Sequence, residues 1–144
     1  MRFMIIVKAT ADSEAGVMPD QRIFDAMADY HQELQDAGVL LDAAGLQPSA
    51  KGWRIKYSGG THTMVDGPFT ETKELIAGYW LWQVKSIDEA LEWARRCPDP
   101  MPGEDSMLEI RPVFEAEDFG KEYTPELQAR DERLRAEIER QKKS

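Results

Sequence analysis

Titratable side chains flank a rigid turn near the middle of the chain. Asp66 stands directly before Gly67 and Pro68, and Lys73 and Glu74 follow a few residues later. Glycine permits positive φ and proline fixes its own φ, so this sequence predicts a tight turn. Loops that carry clustered charges beside such turns are common places for function. The stretch is therefore the first candidate for a functional site.

The Asp66 carboxylate has two interpretations. In an apolar pocket its pKa would rise, and the group would serve as a catalytic acid or base near neutral pH. On the surface it would accept backbone N–H bonds and build the turn, and we expect this structural role to come first. Lys73 and Glu74 are candidate ligand-binding residues for an anionic substrate, although as a solvated pair they would contribute only about 0–1 kcal/mol.

Two histidines and two aromatic residues complete the candidate site. His31 lies beside the apolar stripe of the first predicted helix and is, with Asp66, a candidate catalytic residue. His62, Tyr79 and Trp80 are candidate ligand-binding residues, because aromatic side chains supply apolar surface and a few hydrogen-bond donors to small-molecule pockets. Simpler roles remain open for each of them: a satisfied helix histidine, an exposed strand histidine, and aromatic residues of a core or a dimer interface.

The composition of the 144-residue chain narrows the function classes. Its formal net charge of −9 argues against direct nucleic-acid binding and against binding to an anionic membrane. One cysteine and two scattered histidines make no recognisable metal site, and Gly59-Gly60 is a hairpin turn instead of a phosphate loop, so we predict neither a metal nor a cofactor. No run approaches the roughly 20 apolar residues needed to span a bilayer. We expect a soluble, cytoplasmic protein.

The hydrophobic pattern predicts the order strand, helix, strand, hairpin, strand, helix, strand. Alternating or continuous apolar runs mark the strands, and apolar residues three and four positions apart mark the helices. Without the hairpin, this is the split βαβ, ferredoxin-like order of an α+β protein. We expect residues 1–120 to form this domain, and residues 121–144 to form a charged helical tail whose removal leaves the domain folded.

The hairpin and the turn after it carry three further expectations. The alternation of Trp53, Ile55 and Tyr57 predicts a strand with one buried face. His62 shares that face if the hairpin loop has two residues and lies opposite to it if the loop has three, and the sequence leaves this open. Phe69 is expected to be buried, as the apolar anchor of the turn.

The most apolar segment, residues 78–85, predicts a central strand. Its aromatic and aliphatic side chains leave neither face polar, and a ferredoxin-like sheet carries helices on one face only. The other face therefore needs a cover, and a second copy of the chain is the simplest one. We expect a homodimer.

The motif Asp66-Gly67-Pro68-Phe69 is followed by Glu71-Thr72-Lys73-Glu74 and Gly78-Tyr79-Trp80. In this order the motifs resemble the DGPF group of the YCII-related family. The resemblance covers about residues 2–119, with further similar segments at Ala37-Gly38-Val39-Leu40-Leu41, Gly45-Leu46-Gln47-Pro48-Ser49 and Ala90-Leu91-Glu92-Trp93-Ala94.

The resemblance implies a ferredoxin-like subunit that pairs into a dimeric α+β barrel. It also implies a suspected acid–base chemistry through a histidine–aspartate pair, and an association of DGPF relatives with sigma factors of the extracytoplasmic type. Neither His31 nor His62 lies in a matching motif. Two functions follow: binding or transformation of a small molecule in a pocket near the DGPF loop or, alternatively, a non-catalytic protein-interaction or regulatory module associated with sigma-factor-dependent transcription.

Overall fold

The computed structural model describes residues 1–142, which divide into a unit of residues 1–112 and a second unit that begins at Val113. The elements of the first unit are β1 (Arg2–Lys8), α1 (Ala11–Glu14), α2 (Gln21–Asp36), β2 (Leu40–Gly45), β3 (Trp53–Ser58), β4 (Thr61–Asp66), β5 (Ile76–Gln83), α3 (Ile87–Arg95) and β6 (Leu108–Pro112). The second unit contains α4 (Pro125–Lys142). Short 3₁₀ turns occupy Ser49–Lys51, Thr72–Glu74 and Ala116–Asp118.

Four strands form an antiparallel sheet in the order β2-β5-β1-β6. With the hairpin β3-β4 left aside, this is the ferredoxin-like arrangement, and the predicted α+β class is confirmed. Strand β5 lies between two neighbours, as its apolar sequence predicted. Strand β6 lies at the edge, where Pro112 is tolerated because it has no N–H to donate to a ladder. The one-turn helix α1 is an addition to the predicted order of elements.

One face of the sheet carries the core. Trp82 lies opposite Phe3 and Trp80 lies opposite Ile5, and directly opposed residues of an antiparallel pair share a face. All four side chains are buried, and Trp80 and Trp82 therefore share one face. Helices α2 and α3 cover this face with the buried residues Tyr30, Leu34 and Ala90.

Capping side chains fix where the two long helices of the first unit begin. The Asp20 carboxylate accepts a hydrogen bond from the Ile23 N–H at 3.2 Å and starts α2. The Ser86 hydroxyl accepts one from the Glu89 N–H at 3.2 Å and starts α3. The Glu89 carboxylate in turn accepts from the Lys85 N–H at 2.8 Å. Both caps satisfy backbone N–H groups that the first turn of each helix leaves without an intrahelical partner.

The hairpin of β3 and β4 turns through Gly59 and Gly60, so its loop has two residues. Tyr57 lies opposite His62, which settles the open register: His62 shares the face of Tyr57. The expectation that this face is buried is wrong. Every residue of both strands is exposed, and Trp53 retains 67% of its surface. The physical reason is that, in the part of the chain that the structure describes, β3 and β4 form a separate sheet of two strands and no further element covers this face.

In the second unit, three aromatic rings pack together before the helix. Phe114 and Phe119 have ring centroids 4.9 Å apart, and Phe119 and Tyr123 have theirs 5.0 Å apart. The Tyr123 hydroxyl donates to Asp131 on α4, and this hydrogen bond raises the pKa of Tyr123. The second unit begins at Val113, before residue 121, where we expected the tail to start. The expected boundary between a domain of residues 1–120 and a tail of residues 121–144 stays a prediction.

A chain that ends at Gly120 should keep the stability of the first domain, with a free energy of unfolding within about 1 kcal/mol of the full chain. The apolar stripe of α4 consists of Leu127, Leu134 and Ile138, each more than 40% exposed, so its removal costs little burial. Urea unfolding followed by tryptophan fluorescence measures this, because all four tryptophans precede the cut. Loss of soluble expression would contradict the prediction.

Candidate functional site

A cavity of about 350 Å³ lies between helix α2, strands β2 and β5, and the loop after α3. We call it the His31 cavity. His31 supplies the titratable side chain of this lining; Tyr79 also belongs to the lining, but it alternates with Trp80 along β5, so its side chain lies on the opposite face of the sheet. Its lining consists of Val7, Pro19, Ile23, Phe24, Met27, His31, Ala43, Ala44, Gly45, Ala77, Gly78, Tyr79, Trp80, Pro100 and Met101.

Gly78 sets the distance between two walls of this cavity. It lies opposite Gly45 on β2, and a Cβ atom at position 78 would be 2.9 Å from the Ala44 carbonyl oxygen. A contact this short with backbone would force β2 away from β5. The absence of a side chain therefore lets the edge strand close one side of the cavity.

The His31 imidazole is fixed by the indole of Trp80. The Trp80 Nε1–H donates to His31 Nε2 at 2.7 Å, and the two rings meet edge to face with centroids 5.8 Å apart. Because an indole nitrogen only donates, Nε2 is unprotonated, and the neutral ring carries its proton on Nδ1. Within residues 1–142, no protein group forms a hydrogen bond with Nδ1. The Nδ1–H group thus has no hydrogen-bond acceptor among the described residues.

Burial lowers the pKa of His31 below its usual value. The hydrogen bond from Trp80 acts in the same direction, because it stabilises the neutral ring and would be lost on protonation of Nε2. The imidazole is therefore neutral at pH 7. Such a histidine can donate a hydrogen bond to an oxygen and polarise it, as neutral imidazoles do in known active sites.

Replacement of Trp80 by Phe should raise the pKa of His31, because it removes the hydrogen bond that stabilises the neutral imidazole. An NMR titration of the imidazole C–H signals measures the shift, and Trp53→Phe on the exposed hairpin is the matched control. An unchanged pKa in Trp80→Phe would contradict the assigned hydrogen bond.

The same linkage predicts a pH effect on stability. The unfolded chain has a His31 pKa of about 6.5, above the folded value, so it binds more protons as the pH falls. The contribution of His31 to the free energy of unfolding is therefore complete above pH 6.5 and declines below it.

The turn after β4 is held by Ser49 and Glu14. The Ser49 hydroxyl donates to one oxygen of the Glu14 carboxylate, and the Ser49 N–H donates to the other at 2.8 Å. The Phe69 N–H donates to the Ser49 hydroxyl oxygen at 3.0 Å, and the Gly67 N–H donates to the Gly52 carbonyl at 2.9 Å. These bonds join three loops that are distant in sequence, and we call them the Ser49 clasp.

Two expectations about the turn are corrected by the clasp. The exposed Asp66 side chain accepts no backbone N–H bond within residues 1–142, because Ser49 accepts from the turn instead. Phe69 is partly buried and not fully buried. The Arg54 guanidinium covers its ring at 3.8 Å from the centroid, so a cation–π contact replaces part of the expected apolar packing.

The structure brings three of the seven candidate residues together. His31, Tyr79 and Trp80 line the cavity. The other four candidates, which are exposed and outside its lining, are Asp66, His62, Lys73 and Glu74. The catalytic role of Asp66 and the ligand-binding roles of the other three stay predictions. Sequence reasoning missed Glu14 and Ser49, because their interaction joins positions 35 residues apart and neither carries a local signal.

The single cysteine of the chain, Cys97, packs against the core. Burial raises the pKa of its thiol to about 12, and the thiol donates to the Pro98 carbonyl at 3.2 Å. It is therefore a neutral thiol at physiological pH. Among residues 1–142, no group of three histidine, cysteine, aspartate or glutamate side chains is placed to hold a metal ion. The same residues contain no helix long and apolar enough to cross a membrane.

The protein is of the α+β class, with a ferredoxin-like sheet and two helices, α2 and α3, on one face of it. The apolar cavity lies between α2 and this sheet. The sequence supplies the family: residues 1–117 match the YCII-related domain, and the chain belongs to the YCII-related family, as its motifs indicated.

Among curated proteins, the chain is similar to an uncharacterized protein, R00369, of Rhizobium meliloti (strain 1021). The two are 34% identical over 94 residues, which cover 65% of this chain and 75% of the relative.

Among solved structures, the chain has a likeness to 5-chloro-2-hydroxyhydroquinone dehydrochlorinase (TftG) from Burkholderia phenoliruptrix AC1100 in complex with 2,5-dihydroxybenzoquinone. The TM-score is 0.44 and the identity 14%, over 83% of this chain and all of that one.

Proposed function

We propose that this chain binds a small ring compound in the His31 cavity and that the His31 Nδ1–H donates a hydrogen bond to the ligand. The observation that carries the proposal is the combination of an apolar lining with one oriented imidazole. Small-molecule sites share this design: apolar walls supply affinity, and a few placed polar groups fix orientation.

The volume of the cavity supports a ligand of one substituted ring or two fused rings. A cavity of about 150 Å³ lined by apolar side chains holds benzene, and the His31 cavity has about 350 Å³. Met27 and Phe24 contribute apolar surface on the helix side. Strand β5, which lines the cavity, begins at Ile76, shortly after the DGPF loop. The segment between the loop and the strand is joined to the end of β1, because the Ala9 N–H donates to the Leu75 carbonyl at 3.0 Å.

The geometry of His31 favours polarisation of a ligand oxygen over removal of a proton. Its Nε2 is occupied by the Trp80 N–H, so the imidazole lacks a free basic nitrogen while that hydrogen bond persists. Any reaction at this site would therefore use the Nδ1–H as an electrophilic donor to a developing negative charge, which is how a fixed N–H stabilises an oxyanion.

Calorimetric and thermal-shift titrations with indole, 2-phenylethanol and 4-phenylbutanol test binding directly. A probe that binds should raise the free energy of unfolding by about 2.7 kcal/mol at one hundred times its dissociation constant. The substitution His31→Leu keeps the size of the side chain and removes the hydrogen-bond donor. It should lower the affinity for the alcohols more than the affinity for an apolar probe such as naphthalene. If none of these probes binds at millimolar concentration, the proposal is wrong.

We also propose that two copies of the chain associate. The support is apolar surface that the single chain leaves in water: Trp53, Tyr57 and Met64 are 67%, 78% and 59% exposed on one face of the hairpin. Patches of this kind are typical of interaction sites. The same face would serve a protein-interaction module, the alternative function.

Sedimentation equilibrium at micromolar concentration should give twice the chain mass of 16.4 kDa. A double substitution Trp53→Ser/Tyr57→Ser removes apolar surface without touching the core, and it should shift the protein toward the monomer. Wild-type protein that sediments as a monomer would contradict self-association.

A further inference from the structure

The side chains around the His31 cavity offer a ligand one strong hydrogen-bond donor and only weak acceptors. The Trp80 indole N–H is engaged with His31 Nε2, and the Nδ1–H of the same imidazole is the donor that remains. Among the lining residues of the described chain, the other side chains that face the cavity are hydrocarbons and the thioethers of Met27 and Met101. A thioether accepts weakly, and the Met101 sulfur already accepts from the Thr10 hydroxyl at 3.7 Å.

The main chain along this lining is largely engaged elsewhere. Carbonyl groups of β2 and β5 lie in the plane of the sheet, because the hydrogen bonds between antiparallel strands run in that plane, whereas the cavity lies over one face. The Ala77 carbonyl accepts from the Leu46 N–H at 2.8 Å, and the Met101 carbonyl accepts from the Glu104 N–H at 3.2 Å. Carbonyl groups inside α2 accept from the helix itself. A polar group of a ligand over this face therefore meets the imidazole and apolar surface.

The lining offers no opposite charge to an ionised ligand. Within residues 1–142 it contains no lysine or arginine, and the His31 imidazole is neutral. An anion would lose its hydration here without gaining a positive partner. An ammonium cation would leave the Nδ1–H without an acceptor, because an ammonium group only donates. The group that matches the imidazole is therefore an uncharged one that accepts a hydrogen bond and has none to donate.

We propose that the ligand of this protein is an uncharged ring compound with a carbonyl oxygen, and that this oxygen accepts the hydrogen bond from the His31 Nδ1–H. The inference rests on the proposed function and names its ligand class. A carbonyl group carries no proton, so one donor satisfies it. An alcohol of the same shape can accept the same hydrogen bond, but its own O–H group then needs a partner, and a buried donor without one weakens binding.

Three compounds with the same number of non-hydrogen atoms test the class: 4-phenylbutan-2-one, 4-phenylbutan-2-ol and 3-phenylpropanoate. Calorimetry at neutral pH should show the ketone binding roughly fivefold or more tightly than the alcohol, because the alcohol brings a donor that the lining leaves unpaired. The carboxylate should bind most weakly, because its charge has no partner in the cavity.

A fourth compound and a variant isolate the hydrogen bond. In (3-methylbutyl)benzene a methyl group takes the place of the carbonyl oxygen. The substitution His31→Leu should lower the affinity for the ketone roughly fivefold and change the affinity for this hydrocarbon by less than about twofold. Gln35→Leu is the matched control, because Gln35 is an exposed residue of the same helix outside the lining, and it should leave both affinities unchanged.

The carbonyl stretching band of the bound ketone reports the contact itself. A hydrogen bond weakens the C=O bond, so infrared difference spectra with a ¹³C-labelled carbonyl should show the band at a lower frequency than in a hydrocarbon solvent. In His31→Leu the band should return to the hydrocarbon position. A merely structural role of His31 would change the affinity for the ketone and for the hydrocarbon alike, and it would leave the band of the bound ketone in place.

The outcomes separate the two proposals. If the alcohol or the carboxylate binds as tightly as the ketone, the ligand class is overturned while the His31 cavity stands. A band at the hydrocarbon position in the wild-type protein overturns it as well, because the oxygen then does not reach the imidazole. If none of the four compounds binds, the proposed function falls and the ligand class with it. The wild-type affinities and spectrum decide the question even if His31→Leu does not fold.

Discussion

Replacement of Gly67 by Ala is expected to destabilise the protein by roughly 3 kcal/mol. A Cβ atom at position 67 would lie 1.8 Å from the carbonyl oxygen of Ser49 and 2.8 Å from its carbonyl carbon, both backbone atoms. No side-chain rotation relieves such an overlap, so the loop must move. Its movement would also break the hydrogen bonds from Gly67 to Gly52 and from Phe69 to Ser49. Urea unfolding measures the loss.

Two neighbouring substitutions control for this prediction. A Cβ at Gly52 would meet its nearest atom at 3.5 Å, an ordinary contact, so Gly52→Ala should change the free energy of unfolding by less than about 1 kcal/mol. Asp66→Ala should also have little effect, because the side chain is exposed. If Asp66→Ala costs more than Gly67→Ala, the carboxylate and not the close approach at Ser49 holds the turn.

Replacement of Ala43 by Phe should weaken probe binding roughly ten- to hundredfold, the loss expected when an aromatic ring cannot bury its surface. Ala43 lies opposite Trp80 on β2, so its side chain shares the face of the indole, and it lines the cavity. It is exposed in the free protein, so the larger side chain can enter the empty cavity with little cost to the fold.

Ala28→Phe is the matched control for this cavity-filling change. Ala28 lies on α2 and is exposed, but it is outside the lining of the His31 cavity. Calorimetry with 4-phenylbutanol should give wild-type affinity for Ala28→Phe and a large loss for Ala43→Phe. Equal affinities for the two variants would place the probe elsewhere on the protein.

The fold could be predicted from the periodicity of apolar residues, because the buried face of each helix and of the central strand can be recognised within that element alone. The spacing of Tyr30 and Leu34 marked the core face of α2, and the run around Trp80 and Trp82 marked a central strand. The same use of periodicity gave a wrong prediction for the hairpin. Its alternation at Trp53 and neighbouring positions is typical of a half-buried strand, but only tertiary contacts decide whether an apolar face is covered within its own chain.

The candidate site could be predicted only in part, for a related reason. His31, Tyr79 and Trp80 were recognisable by residue type, whereas the hydrogen bond that orients His31 joins positions 49 residues apart. From the local sequence, Asp66 was expected to stabilise the turn, because it is the residue directly before it. In the structure Ser49 and Glu14 hold the turn instead, because the loops approach each other closely enough for the Ser49 hydroxyl to accept from the Phe69 N–H.

The most direct test of the His31 cavity as the binding site is an NMR experiment that detects nuclear Overhauser effects between bound 4-phenylbutanol and the protein. The aromatic protons of the probe should show contacts to the Met27 methyl group and to the His31 imidazole, both in the lining. The competing apolar surface is the exposed hairpin face. Contacts to Trp53 and Met64 in place of Met27 and His31 would contradict the account.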